Sequence, residues 1–288
     1  NQAAIAKLGG IPKIVSVLLG YSSTSKEHAH ITLCTLAAEA VKEMARDNKK
    51  NQDAISEAGA IPPLAAMLAS QSPSMQAFAA GALAHLARGH ADNQHAIAKT
   101  GAVAPLCTLV REGSEDAKDS SAAAVWSLAT DNAPNKDTIA KLGGIDPLIG
   151  LLVTGETSKS QANTSGALCA LAAKHVDNRA LIAKRLVGLL SSSQAKAVER
   201  AVRVLSTCSA FASDSTANQI AITKTGGVAP LISWLEMDTP QPGTPDAQAS
   251  AAQALLCLAI DNAMTQVAIA KGGGIAPLIT LVKSSSAQ

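Results

Sequence analysis

Apolar residues recur along this chain in a helical rhythm that restarts about every forty residues. The clearest stretch is Asn93–Pro134. Ala96 and Ile97 lead to Gly101-Ala102, which reads as a short helix ended by glycine, the residue that accepts a left-handed backbone. Pro105 follows, a residue suited to the first turn of a helix, where its missing N–H had no partner. A second helix then carries Leu106, Leu109 and Val110. The polar run Arg111–Ser121 is read as holding a turn around Gly113. A third helix is expected over Ala122–Asp131, with Val125 and Leu128 at helical spacing. No stretch sustains period-two alternation, so no sheet is expected.

The same pattern returns through the whole chain. Its marker reads Asn1-QAAIAKLGGI, Asn51-QDAISEAGAI, Asn93-QHAIAKTGAV, Asn135-KDTIAKLGGI, Asn218-QIAITKTGGV and Thr265-QVAIAKGGGI, with a degraded copy at Asn178-RALIAK. The seven starts near 1, 51, 93, 135, 178, 218 and 265 define one array over 1–288 whose last repeat is incomplete. A period near 42 means one supersecondary unit whose apolar face is buried only by its neighbours. Five copies place Pro after the glycine corner, at Pro63, Pro105, Pro147, Pro230 and Pro277. The third helices are alanine-rich, as in Phe78-AAGALAHLA and Ser121-AAAVWSLA. Composition then makes sense: 47% of residues are apolar but only 2% aromatic. Small side chains let helix axes approach closely without large rings.

The short helix, the G-G-I-x-P-L corner and the long helix, repeated every 42 or so residues, resemble the armadillo repeat of beta-catenin, plakoglobin and importin-alpha. The resemblance covers the whole chain. It implies an all-α fold, a right-handed superhelical solenoid (an α-α superhelix). It also implies a groove lined by the third helices that holds partner segments. In members that clamp extended peptides the third helix reads roughly W-x-x-x-N, and the Asn amide bonds the bound backbone. Aligned through x-A-L-x-x-L-A, the asparagine position here falls on Glu43, His85, Ser127, Ala170, Val204 and Cys257. The tryptophan position falls on Glu39, Gly81, Ala123, Gly166, Arg200 and Gln253. Neither residue type is kept, which argues against capture of nuclear localisation peptides.

Helix geometry adds the positions one before and three after the asparagine site. Candidate partner-binding residues are therefore Lys42, Arg46, His85, Arg88, Trp126, Ser127, Thr130, Arg200 and Arg203. An exposed Trp126 would anchor a partner side chain; the alternative is that it packs between repeats. Arg200 and Arg203 form a basic patch, or else a solvated face paired with Glu199. Trp234 shares a second-helix position with Met67, Leu109 and Leu151 and is expected in the core.

Charge changes this picture little. Lys and Arg number 24 against 22 Asp and Glu, a net charge of +2, which does not point to nucleic acid. No apolar run reaches transmembrane length. The five cysteines, Cys34, Cys107, Cys169, Cys208 and Cys257, form no C-x-x-C pair and sit in apolar helix patterns. They are expected as thiols in a reducing compartment, cytoplasmic or nuclear. The chain opens and closes inside a repeat, so it is expected to be a fragment of a longer protein.

Catalytic chemistry is not legible. There is no H-E-x-x-H, no zinc spacing, no phosphate-binding P-loop, and Gly272-Gly-Gly274 follows a helix and is a repeat corner. Asn163-Thr-Ser165 matches a glycosylation acceptor but opens a predicted helix. Three irregular stretches stand out: Tyr21–Glu27, Thr207–Asn218 and the proline-rich Asp238–Asp246, read as surface loops. The repeat at Asn178 lacks its glycine-proline corner, and its first two helices are expected to fuse. The expectation is a non-enzymatic interaction scaffold or adaptor, without cofactor or metal. It would bind an acidic or amphipathic protein segment, with no nucleic acid or small-molecule substrate. The alternatives are an importin-alpha-like transport receptor and a structural subunit of a large assembly.

Overall fold

A computed structural model describes residues 2–22, 28–192, 194–207, 216–236 and 245–285. About 80% of them are helical and none is in a strand. The helices follow the repeats. The first repeat holds α1 (Gln2–Lys7), α2 (Gly10–Leu19) and α3 (His28–Ala45). The second holds α4 (Lys49–Glu57), α5 (Ile61–Met67) and α6 (Pro73–Ala87). The third holds α7 (Ala91–Lys99), α8 (Val103–Glu112) and α9 (Glu115–Ala129), and the fourth α10 (Ala133–Lys141), α11 (Ile145–Thr154) and α12 (Ser158–Ala172). The fifth holds α13 (Val176–Leu190) and α14 (Ala195–Thr207), and the sixth α15 (Thr216–Lys224), α16 (Val228–Ser233) and α17 (Pro245–Ala259). The last holds α18 (Ala263–Lys271) and α19 (Ile275–Ser285).

Local chemistry sets each boundary. At the Asn135 repeat, the Asn132 side chain caps α10 by accepting from the Asn135 N–H at 3.1 Å. Gly143 then adopts φ 71°, its N–H reaches the Ala140 carbonyl at 2.9 Å, and the Gly144 N–H reaches Ile139 at 2.9 Å. That double closure is the Schellman arrangement. The next residue cannot be large either. A Cβ on Gly144 would lie 2.7 Å from Cys107 Sγ and 2.8 Å from Ile139 Cγ2.

The third helices begin earlier than the sequence pattern suggests. Helix α9 starts at Glu115, not Ala122, because the Ser114 hydroxyl accepts from the Ala117 N–H at 3.3 Å. Glu115 and Asp116 then sit in the first turn, where the helix dipole favours negative charge. Much of the polar run taken for a turn is therefore helix. In the fifth repeat the first two helices are indeed one: α13 runs unbroken, burying Ile182, Ala183, Leu186, Val187 and Leu190. The glycine-proline corner of the other repeats is missing after Lys184, so nothing stops the helix there, and Gly188 is carried within it.

The Asn-Gln pair of the repeat marker stitches the helices together. Asn51, Asn93 and Asn135 are buried, and each amide donates to the carbonyl seven residues earlier, at Met44, Leu86 and Leu128 (2.9 Å in all three). The glutamine reaches forward. Gln94 Nε2 donates to the carbonyls of Ser127 (2.8 Å) and Thr130 (3.1 Å), and its Oε1 accepts from Asn132 (3.0 Å). Gln219 does the same with Cys257, Ile260 and Asn262. These bonds satisfy carbonyls that every helix C-terminus leaves unpaired.

Helix α6 packs between α3 and α9. Ala79, Ala80, Ala82, Leu83, Leu86 and Ala87 on it are fully buried, which alanine allows by keeping the axes close. Trp234 departs from expectation: it is half-buried at the C-terminal cap of α16, past the last helical turn. Cys34, Cys107 and Cys257 are buried and Cys169 half-buried, all as free thiols, while Cys208 lies outside the described residues. Most of the three irregular stretches, 23–27, 208–215 and 238–244, also lie outside them. The chain divides into two compact parts, Asn1–Ala170 and Leu171–Gln288, where the array was expected as one domain. No single helix among the described residues is long and apolar enough to cross a membrane.

Candidate functional site: a basic recess on the third helices

Within the first part, α3, α6, α9 and α12 together form a recess of about 330 Å³. Its floor is Gly81, Ala84 and Ala123. Lys42 lines it from α3, with Arg46 and Asp47 just beyond that helix. His85 and the capping residue Arg88 line it from α6, and Lys159 and Asn163 from α12. Four of the predicted site residues, Lys42, Arg46, His85 and Arg88, are thus brought together.

Small residues make the recess possible. The Lys42 stem crosses Gly81 so closely that a Cβ there would lie 2.9 Å from its Cδ. Its ammonium stands 5.1 Å from the Phe78 ring centroid and 3.3 Å from Glu43. A cation over a ring face is held by the ring quadrupole. Arg46 Nη2 lies 2.9 Å from the same Glu43 oxygen, and Arg88 Nη1 is 3.9 Å from Asp47. These pairs are largely exposed, and exposed pairs contribute at most about 1 kcal/mol. The guanidinium groups remain open to a ligand.

His85 registers the surplus of positive charge. Burial, then Arg88 and Arg46, push its pKa down to about 4, against the weaker opposing pull of Asp47 and Glu43. The ring is neutral near pH 7, and its buried Nδ1 has no hydrogen-bond partner.

Trp126 lies one helical turn beyond Ala123 on α9. Its ring rests on Gly166 of α12, where a Cβ would come 2.6–2.7 Å from three ring carbons. The residue still exposes 36% of its surface. The ring packs between repeats, as one of the two readings had it, and part of the residue stays open. Ser127 needs correction. It is only 5% exposed, and its carbonyl serves the Gln94 bridge. Thr130 is half-buried, its hydroxyl donating to the Trp126 carbonyl at 2.8 Å. Ser127 is thus withdrawn from any ligand, while Thr130 keeps part of its surface open.

Arg200 and Arg203 belong to the second part. Arg203 Nη2 pairs with Glu199 at 2.7 Å, and Arg200 is half-buried and engaged. Sequence reading missed Lys159, Asn163 and Ser120, which also line the recess. They lie two or three turns before the asparagine position, beyond the positions that the repeat alignment singled out. A larger hollow, about 750 Å³, lies among α1, α2 and α4, but its lining mixes Lys7, Lys50 and Glu57 without concentrating one charge.

A family model described as Armadillo/beta-catenin-like repeat matches residues 48–88, from the cap of α4 through the cap of α6. That stretch matches the armadillo repeat, and the fold around it is that of an armadillo solenoid. Solved armadillo-like structures agree with the fold. An engineered protein at 26% identity matches 88% of this chain and 98% of its own, with a TM-score of 0.66. A second engineered protein, 27% identical, matches 98% of this chain and 66% of its own, with a TM-score of 0.73. A designed armadillo repeat protein in complex with peptide (KR)4 is 20% identical. It matches over 86% of this chain and 99% of its own, with a TM-score of 0.65. No curated protein matches the chain in sequence. Against the armadillo pattern, Gly81 and Gly166 stand at the tryptophan position. Lys42 and Trp126 from the preceding third helix fill the space that a ring would take there.

Proposed function

We propose that this armadillo protein is a non-enzymatic scaffold whose first four third helices hold an acidic segment of a partner protein. The armadillo fold in general is an interaction scaffold. The carrying observation is the convergence of Lys42, Arg46, Arg88 and Lys159 on one recess lined by a single carboxylate, Asp47. The chain as a whole is nearly balanced, at 24 cationic and 22 anionic residues, so this concentration is local. Trp126, one turn away, offers an apolar platform for an adjoining side chain. The designed relative takes the basic peptide (KR)4; cations at this recess suit the opposite sign. Free thiols among the described residues support an adaptor in a reducing compartment, the cytoplasm or nucleus.

Fluorescence anisotropy with labelled acidic and basic peptides of equal length tests this reading. Acidic peptides should bind, more weakly as salt rises, and (KR)4 should not. Arg46→Glu with Arg88→Glu should abolish binding, and Trp126→Ala should weaken it by about 2 kcal/mol. Indifference to peptide charge, or binding untouched by the double reversal, would sink it.

A further inference from the structure

The recess has more positive charge than a carboxylate-bearing segment uses. We infer that it is a receptor for a phosphate monoester on the bound segment, so that phosphorylation of the partner switches docking on. This rests on the acidic-segment reading above and deepens it.

Three features carry the step. The cations converge from three third helices and their ends: Lys42 on α3 with Arg46 just past it, Arg88 capping α6, and Lys159 on α12. One carboxylate presents two oxygens in one plane and satisfies one guanidinium fork. A phosphate monoester carries a charge of about −1.5 to −2 and three acceptor oxygens spread over a tetrahedron, which matches donors arriving from several sides.

The second feature is under-compensation. Lys42 and Arg46 share one oxygen of Glu43, at 3.3 and 2.9 Å, and the Arg88–Asp47 separation of 3.9 Å exceeds a hydrogen bond. Burial is the first cause of the depressed His85 pKa, and Arg88 and Arg46 add to it against the opposing Asp47 and Glu43, in keeping with that geometry. The third feature is size. At about 330 Å³ the recess is at the small end of ligand clefts, which run from about 300 to 1,000 Å³. It admits a side chain with its ester group, and the floor at Gly81 is kept low because no Cβ fills it. Trp126 beside it is placed to take a neighbouring residue of an extended chain, which favours a peptide over a free anion.

The test compares three labelled peptides in one acidic frame, differing only at the central residue: phosphoserine, aspartate or serine. The phosphoserine peptide should bind about tenfold tighter than the aspartate peptide, the worth of one added charge-assisted hydrogen bond or more. Arg88→Gln and Lys159→Gln should each reduce that preference to about twofold or less while the helical signal stays intact. Both residues are exposed, so folding is not at stake. Inorganic phosphate should displace the phosphopeptide, and the displacement should disappear in Arg88→Gln. Equal binding of the phosphoserine and aspartate peptides overturns the phosphate receptor and leaves the acidic-segment scaffold standing. Absent binding of all three overturns both. Binding to vesicles containing phosphoinositide, without binding to the phosphopeptide, would transfer the recess to a membrane surface and overturn the inference.

Discussion

Two backbone positions in this chain hold the same left-handed conformation with residues of very different tolerance. Gly143 has φ 71° and Lys174 has φ 55°. For a residue with a Cβ that conformation costs about 1–2 kcal/mol. Gly143→Ala is expected to lower stability by about 1 kcal/mol or more. Lys174→Gly is expected to raise it by about 0.5–1 kcal/mol, net of the greater freedom of glycine in the unfolded chain. Urea unfolding of both variants checks the opposite signs, and equal signs would contradict the corner geometry. His85 supplies a second measurable at this scale. Its folded pKa, about 4, lies below the unfolded 6.5. The unfolded chain therefore binds a proton first as pH falls. Stability due to this group is intact above pH 6.5 and is lost progressively down to about pH 4. Replacing His85 with Asn should flatten that part of the profile, and an unchanged slope would exclude His85 as its source.

Between neighbouring third helices, the contact is a large side chain laid on a glycine. Trp126 covers Gly166 as Lys42 covers Gly81. Gly166→Ala would force its Cβ against the indole and should destabilise by about 1–3 kcal/mol, the usual cost of overpacking. In a Trp126→Ala background the same substitution should cost far less, giving a coupling energy of about 1 kcal/mol or more. A double-mutant cycle by thermal unfolding measures it, and strict additivity would mean the ring and the glycine do not share one space. The element boundaries were only partly readable in advance. The corners were, because glycine and proline have backbone consequences within a few residues. The starts of the third helices were not, because their first turns are polar and end in side-chain caps, so α9 was read seven residues too short.

Across the whole array, each repeat depends on its neighbours for burial and for its carbonyl partners. The Gln94 side chain, in one repeat, reaches carbonyls 33 and 36 residues away in the same repeat's third helix, and Asn132 at the start of the next. Gln94→Leu removes a donor from the buried carbonyl of Ser127 and an acceptor from Asn132. It should cost about 1–3 kcal/mol. In a repeat array such a loss also weakens coupling between neighbours, so the unfolding transition should broaden as well as shift. Loss of helical signal with denaturant checks both effects, and a shift with unchanged steepness would confine the effect to one repeat.

The sequence by itself determined the repeat, its period, the absence of sheet and the placement of the glycine corners. Each follows from local backbone preference and the rhythm of apolar residues, and a forty-residue rhythm copied seven times averages out local noise. It also named Lys42, Arg46, His85 and Arg88, through the asparagine position that the armadillo resemblance implies and the helical spacing around it. Tertiary structure decided the rest. Lys159 and Asn163 join the recess through the lateral packing of α12, which no spacing within one helix encodes. Ser127 was withdrawn from the surface because a glutamine far back in the chain claims its carbonyl. Trp126 acquired both a packed and an open face because glycine, not a larger residue, stands at position 166. In each case the deciding contact joins residues more than thirty positions apart, a distance over which only the packed fold specifies what touches what.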